Sequence, residues 1–291
     1  MGRAPAPAGA GRVAALLRAA GCVYAEEEAA LLLAEAADDA GLERMVAERA
    51  AGRPLEYVLG WAQFCGLRLN VGDGVFVPRR RTEFLARLAV TELVERPRAV
   101  VVDLCCGAGP VSAVIAHRAD PNKIFAVDID AAAVACAQRN LDARVTVLQG
   151  NLFDALPGGL RGRVDLVVAN APYVPTGQLA MLPPEARLHE PEVTHDGGPD
   201  GLAVLSRIAA QAPAWLAPSG VLLVECAAGQ VKGLRHSFAA AGLVPAVRRR
   251  RAMDATVLRG SVLGGSVLGG SVLGGSVLGG SVLGGSAEFR P

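Results

Sequence analysis

The segment Val167–Pro175 reads VVANAPYVP, a β-branched run that ends in Asn170, Ala171, Pro172 and Tyr173. The Asn170 side chain carries one carbonyl oxygen, and the Ala171 backbone carries a second beside it. Two adjacent acceptors suit an NH2 group, which has two hydrogens to donate. A conjugated NH2, in an amide or on a nucleobase, is a poor nucleophile because its lone pair is delocalised. Accepting both hydrogens holds the group and aims the lone pair at an electrophile. Positioning and preorganised dipoles then replace a side-chain base. Pro172 stiffens the turn, and Tyr173 offers a ring face to a planar group. Alone, the segment also reads as an ordinary polar turn after a strand.

A second segment, VVVDLCCGAGP, delivers Asp103 from a strand and opens a helix at Gly107 and Gly109. Glycines there let backbone approach a ligand, and a helix N-terminus presents free N–H groups. Asp128 ends the next strand, where an acid can accept both ribose hydroxyls of a nucleoside. A dinucleotide turn needs a third glycine where this chain has Ser112. The bland alternative is a tight strand–helix turn without a ligand. The order D-x-x-x-G-x-G, then an acid after the second strand, resembles the S-adenosylmethionine site of class I methyltransferases. There the first acid faces the amino-acid end of the ligand.

Both segments need a scaffold that brings strand ends together. From residue 99 the pattern alternates: strands AVVVDL, KIFAVDID, RVTVLQG, VDLVVAN and GVLLVEC, with helices between most of them. Such alternation predicts a doubly wound, mostly parallel α/β sheet that binds ligands at the C-terminal ends of its strands. Before it, residues 12–60 predict Ala-rich helices, with stops at Gly21, Gly41 and Gly52. Residues 61–80 predict a hairpin whose turn is Gly72-Asp73-Gly74. Thr82 is expected to cap the following helix. The expected divisions are a helical domain over 1–60, a hairpin linker over 61–80, the catalytic domain over 81–259 and a tail over 260–291. The tail begins with five copies of GSVLG from Gly260, and two glycines per unit predict an appendage without fixed structure.

Composition excludes little and fits this plan. The chain has 291 residues, a net charge of +1 and 52% hydrophobic residues, which gives no global pull toward nucleic acid. The six cysteines form no C-x-x-C and no metal-ligand spacing, so buried thiols in a reducing cytoplasm are expected, with no metal. Arg12 and Arg18 interrupt the only signal-like stretch, and Asp103 interrupts the most apolar region, so no membrane span is expected.

Over residues 12–258 the chain resembles the HemK/PrmC protein-(glutamine-N5) methyltransferases. The matching segments are RPLEYVLGWAQFCGL, VFVPRRRTE, VDLCCGAG, AVDID, NLFDALP, ANAPYVP and HEPEVTHDGGPDGL. The likeness is greatest to a PrmC-related subgroup that carries N-A-P-Y and has no assigned substrate. The resemblance implies that Asn170, Ala171, Pro172 and Tyr173 bind the side-chain amide of a Gln in a protein, a peptide-chain release factor being the known case. It implies S-adenosylmethionine at Asp103, Cys105, Cys106, Gly107, Ala108, Gly109, Asp128, Ile129, Asn151 and Leu152. It also gives the helical domain a role in docking the substrate. The alternatives are methylation of adenine N6 or guanine N2 in nucleic acid, and a degenerate cofactor-binding protein. Four positions depart from the family. Ala171 replaces a proline and Cys105 replaces a glycine. Asn151 replaces an aspartate, and PRRRTE replaces PRPETE. Arg79–Arg81 are an edge for ribosomal RNA or an acidic partner, or, favoured slightly, a solvated basic face. His189, Glu190, His195 and Asp196 show no spacing that aims them at one point, so they predict a substrate-covering loop. The arginines at 248–251 predict a charged bend between strands.

Overall fold

A computed structural model describes residues 7–262. Four helices open it: α1 (Pro7–Ala19), α2 (Ala25–Glu35), α3 (Asp39–Ala50) and α4 (Leu55–Leu59). Their apolar positions fall at helical spacing, Val13, Ala14 and Leu17 on α1 and Ala25, Ala29 and Leu32 on α2, and they meet Val46 and Leu59 in a small core. Gly41 does not end a helix. The Asp38 side chain accepts from the Gly41 backbone N–H at 2.6 Å and caps the start of α3. The D-D-A-G sequence is a start signal because the aspartate satisfies a free N–H of the first turn.

Strands β1 (Trp61–Phe64) and β2 (Leu67–Asn70) form the hairpin. Its turn is Cys65-Gly66, with φ of +51° and +83°, and not the expected Gly72–Gly74. Two left-handed residues give a two-residue turn whose twist matches the strands. Gly72–Val75 is a separate turn into an extended segment. Helix α5 (Glu83–Leu93) follows, then β3 (Val100–Leu104), α6 (Pro110–Arg118), β4 (Lys123–Asp128), α7 (Ala131–Asn140), β5 (Val145–Gln149) and β6 (Val164–Ala169). The chain continues through α8 (Pro184–His189), α9 (Ala203–Gln211), β7 (Leu216–Glu225), α10 (Val231–Ala240), β8 (Leu243–Arg250) and β9 (Ala255–Val262).

The sheet order is β5-β4-β3-β6-β7-β9-β8, parallel except for β9, which runs antiparallel to both its neighbours. Alternate residues of the apolar strands face opposite layers. Val101, Leu166, Val168 and Leu223 pack with α5 and α6, while Val102, Leu104, Val167 and Val224 pack with α9 and α10. Burial on both faces explains the continuous β-branched runs. The chain passes from β3 outward to β5, then returns to place β6 on the other side of β3. The crevice between the ends of β3 and β6 is therefore the switch point of the fold.

Two expectations change at the end of the sheet. Arg248–Arg250 lie within β8, so only Arg251 opens the bend. The tail does not begin at 260, because β9 runs through Gly260, Ser261 and Val262, paired with Leu222, Val221 and Leu243. Gly260 fits because a Cβ there would stand 2.6 Å from a ring carbon of Phe238. The remaining repeats lie outside the described residues.

Candidate functional site

The C-terminal ends of β3, β4, β6 and β7 converge on one edge, and a cavity of about 310 Å³ opens there. The β3 end supplies Asp103, Cys105, Cys106, Gly107 and Ala108 to its lining, and the β4 end supplies Asp128 and Ile129. The β6 end supplies Asn170, Ala171, Pro172 and Tyr173. Gly109, Asn151 and Leu152 are not among the lining residues. Gly109, at φ +79°, precedes α6 and packs against Leu141, where a Cβ would stand 2.8 Å from a methyl carbon. Leu152 is buried in the core. Asn151 Oδ1 accepts from Arg207 at 3.2 Å.

The cofactor-side turn has the features a nucleoside sulfonium ligand needs. Gly107, at φ +56°, donates its N–H to Asp128 Oδ2 at 2.8 Å, and Asp130 N–H reaches Oδ1 at 3.0 Å. Each carboxylate oxygen keeps a lone pair for a ribose hydroxyl. Asp103 is buried, and burial pushes its pKa up to about 7, opposed by hydrogen bonds from the Ser112 hydroxyl and backbone. Such an acid gains most from a cationic amino group beside it. Cys105 holds φ +55° where the resembling family has glycine, so the turn keeps its left-handed shape despite the side chain. Burial drives the Cys105 and Cys106 thiols well above the usual range, so they remain protonated and weakly nucleophilic.

On the acceptor side, Asn170 Nδ2 donates to the Thr82 hydroxyl at 3.3 Å. Its carbonyl end is thereby free for the cavity. Thr82 precedes α5, but its side chain makes no capping hydrogen bond, contrary to expectation. The side chain faces the site instead. The Tyr173 hydroxyl donates to Glu225 Oε1 at 3.2 Å, and Gln230 Nε2 donates to the Tyr173 carbonyl at 2.7 Å. Gly197 and Gly201 close over the same backbone, where a Cβ on Gly201 would stand 2.2 Å from the Tyr173 carbonyl oxygen.

Glu190 and His195 do meet, although no spacing predicts it. Glu190 accepts two hydrogen bonds from Arg79, and His195 Nε2 lies 2.9 Å from Glu190 Oε2 without hydrogen-bond geometry. Arg79 is thus turned inward, and Arg81 Nε lies 3.8 Å from Glu225 Oε1, which leaves Arg80 as the one of the three without an ion pair among the described residues. Arg79 is committed to the protein itself, while Arg80 and Arg81 remain exposed. Among the described residues no cluster of three or more His, Cys, Asp or Glu could hold a metal ion, and no helix is long and apolar enough to cross a membrane.

Sequence comparison agrees with this geometry. Residues 67–182 match the family model for the methyltransferase small domain. The release factor glutamine methyltransferase of Geobacter sulfurreducens is 38% identical over 68% of this chain and 69% of its own length. The chain belongs to the HemK/PrmC methyltransferase family. A second HemK/PrmC relative, the release factor glutamine methyltransferase of Mycolicibacterium smegmatis, is 42% identical over 64% of this chain and 66% of that protein. The 4-amino-L-phenylalanine/4-methylamino-L-phenylalanine methyltransferase of Streptomyces pristinaespiralis is also similar, 36% identical over 68% of this chain and 69% of that protein. A crystal structure of a methyltransferase from Pyrococcus furiosus shares the fold, with a TM-score of 0.50 and 15% identity over 68% of this chain and 89% of that chain. Membership of HemK/PrmC makes this chain an enzyme of the class I methyltransferase fold, with a small helical domain ahead of it. Thr82 lines the cavity, and Glu225 and Gln230 hold Tyr173 from behind it, contacts that the motifs alone do not reveal. A signal existed for Glu225, a lone charge closing the apolar run GVLLVEC.

Proposed function

We propose that this enzyme transfers a methyl group from S-adenosylmethionine to the side-chain amide nitrogen of a Gln in a protein, and that the protein is a peptide-chain release factor. The observation that carries the reading is the orientation of Asn170. Its amino end is engaged by Thr82, so its carbonyl and that of Ala171 stand as the two acceptors an amide NH2 requires. Asp103 and Asp128 line the other end of the same cavity, suited to the amino group and the ribose of the donor. The donor supplies an electrophilic methyl on a sulfonium. Asn170 and Ala171 would withdraw the amide hydrogens into hydrogen bonds, and Tyr173 would pack on the amide plane. Held this way, the amide nitrogen would face the methyl group of a donor seated against Asp103 and Asp128, and the surplus amide proton would leave to water. No side-chain base is needed, because holding and orienting the nitrogen supplies the rate. The protonated cysteines do not compete for the methyl group. Asn151, held by Arg207, and the exposed Ile129 would border the adenine.

The test is incubation with methyl-labelled S-adenosylmethionine and a release factor bearing Gly-Gly-Gln, beside total RNA and 4-amino-L-phenylalanine. Label on the Gln, lost in Asn170→Ala with cofactor affinity retained, is the expected result. Label on RNA or on the arylamine alone would keep the chemistry and reject the glutamine assignment.

A further inference from the structure

The acceptor pair requires Asn170 to present its carbonyl end to the cavity. Shape cannot decide this, because the two ends of a carboxamide are nearly the same size. The partners behind it decide. Thr82 accepts from Asn170 Nδ2, but a hydroxyl can equally donate to a carbonyl. It is a dependable acceptor only if its own hydrogen is committed elsewhere. Thr82 is 2% exposed, so bulk water does not take that hydrogen. The carboxyl next to the Thr82 hydroxyl is that of Glu225, also 2% exposed, at the C-terminal end of β7. Its Oε1 accepts from Tyr173, while Oε2 is buried and has no hydrogen-bond partner among the described residues. Burial pushes the Glu225 pKa up, and the adjacent Thr82 hydroxyl, the Arg81 charge and the Tyr173 hydroxyl hold it back.

We propose that Glu225 is a positioning residue that acts through Thr82. In its ionised form the carboxylate only accepts, so Oε2 then takes the Thr82 hydrogen and obliges the hydroxyl to accept from Asn170. Asn170 Oδ1 is then locked toward the acceptor nitrogen. The same carboxylate fixes the Tyr173 ring through its phenol, so one buried charge sets two of the groups that hold the acceptor. Arg81 supplies the counter-charge at 3.8 Å. In Glu225→Gln the new amide can donate to Thr82, which releases the hydroxyl to turn on Asn170 and lets the carboxamide flip. The inference rests on the reading that Asn170 and Ala171 receive an NH2 group.

The experiment compares Thr82→Ser, Thr82→Val and Glu225→Gln in the full chain. Expected are most of the turnover retained in Thr82→Ser, and kcat lowered roughly a hundredfold in the other two. The affinity for S-adenosylmethionine by calorimetry and the melting temperature should stay near those of the parent. In an Asn170→Ala background Thr82→Val should add nothing further, as expected of groups acting as one unit. Equal activity of Thr82→Val and Thr82→Ser would overturn the proposal. A second readout does not need the acceptor. In labelled protein the Asn170 amide hydrogens should show a nuclear Overhauser contact to the Thr82 methyl that disappears in Glu225→Gln. Its loss without turnover on any acceptor would keep the lock and reject the glutamine reading. Its persistence in Glu225→Gln would reject the lock whatever the activity.

Discussion

Arg79 and Glu190, 111 residues apart in the chain, meet through hydrogen bonds of 2.7 and 2.6 Å. The Glu190 carboxylate is 1% exposed and also accepts from the Val77 N–H at 3.1 Å. The pair fastens the loop after Tyr173 to the segment before Thr82, so two walls of the cavity are joined by one charge pair. Arg49 makes a second such join, linking Glu28 of α2 to Glu185 of α8 with 2.6 Å contacts on both sides.

Arg79→Met should leave a buried carboxylate without its cation. Breaking such a pair from one side is strongly destabilising, and a loss of about 3 kcal/mol is expected. The lower end of the range applies because Arg79 is itself 31% exposed. Urea denaturation measures it, and Glu190→Gln should lose less because the amide oxygen can still accept from Val77.

Asp103 predicts a pH dependence. Its folded-state pKa is raised from 3.8 to about 7, so its contribution to stability is fully present below about pH 4 and is lost as pH rises toward 7. The ammonium of the donor would favour the ionised carboxyl. Donor affinity should therefore rise between pH 5 and 7, with proton release on binding near pH 6. Calorimetry in buffers of different ionisation enthalpy detects that proton, and Asp103→Asn should abolish its release.

Gly201→Ala places a methyl at 2.2 Å from the Tyr173 carbonyl, at a backbone φ of +74° that side chains disfavour. Tyr173 and its neighbour Asn170 must shift. A loss of kcat of at least tenfold is expected, since small displacements of positioned groups are amplified in rate. Donor affinity should change little.

Cys105→Gly should stabilise the chain by about 1 kcal/mol, because a β-carbon is removed from a left-handed residue. Thermal melting reads the gain. Tighter donor binding should accompany it if the side chain also crowds the cavity that it lines.

The α/β core was legible because buried parallel strands announce themselves as continuous β-branched runs, and AVVVDL, KIFAVDID and VDLVVAN match β3, β4 and β6 to within two residues at either end. The motif residues were legible for the same reason, since they stand where those runs stop. Three things were not. The break at Asp38 competed with an uninterrupted Ala-rich pattern. The hairpin turn at Cys65-Gly66 was hidden because Cys65 is not a typical left-handed residue. The partners Thr82–Asn170, Tyr173–Glu225 and Arg79–Glu190 lie 52 to 111 residues apart. Only the folded sheet edge brings such distant residues together, and no local spacing encodes it.

Gly260 carries a consequence for heredity. It is the first residue of the GSVLG array and the glycine that the Phe238 ring demands at the end of β9. Every later unit also begins Gly-Ser-Val, so a replication slip that deletes or adds whole units restores Gly260, Ser261 and Val262 to the same slots. Loss of all five units would still supply Gly-Ser-Ala from the residues now at 285–287. While at least one unit remains, the array can change copy number between generations and the folded enzyme ahead of it keeps the same last strand.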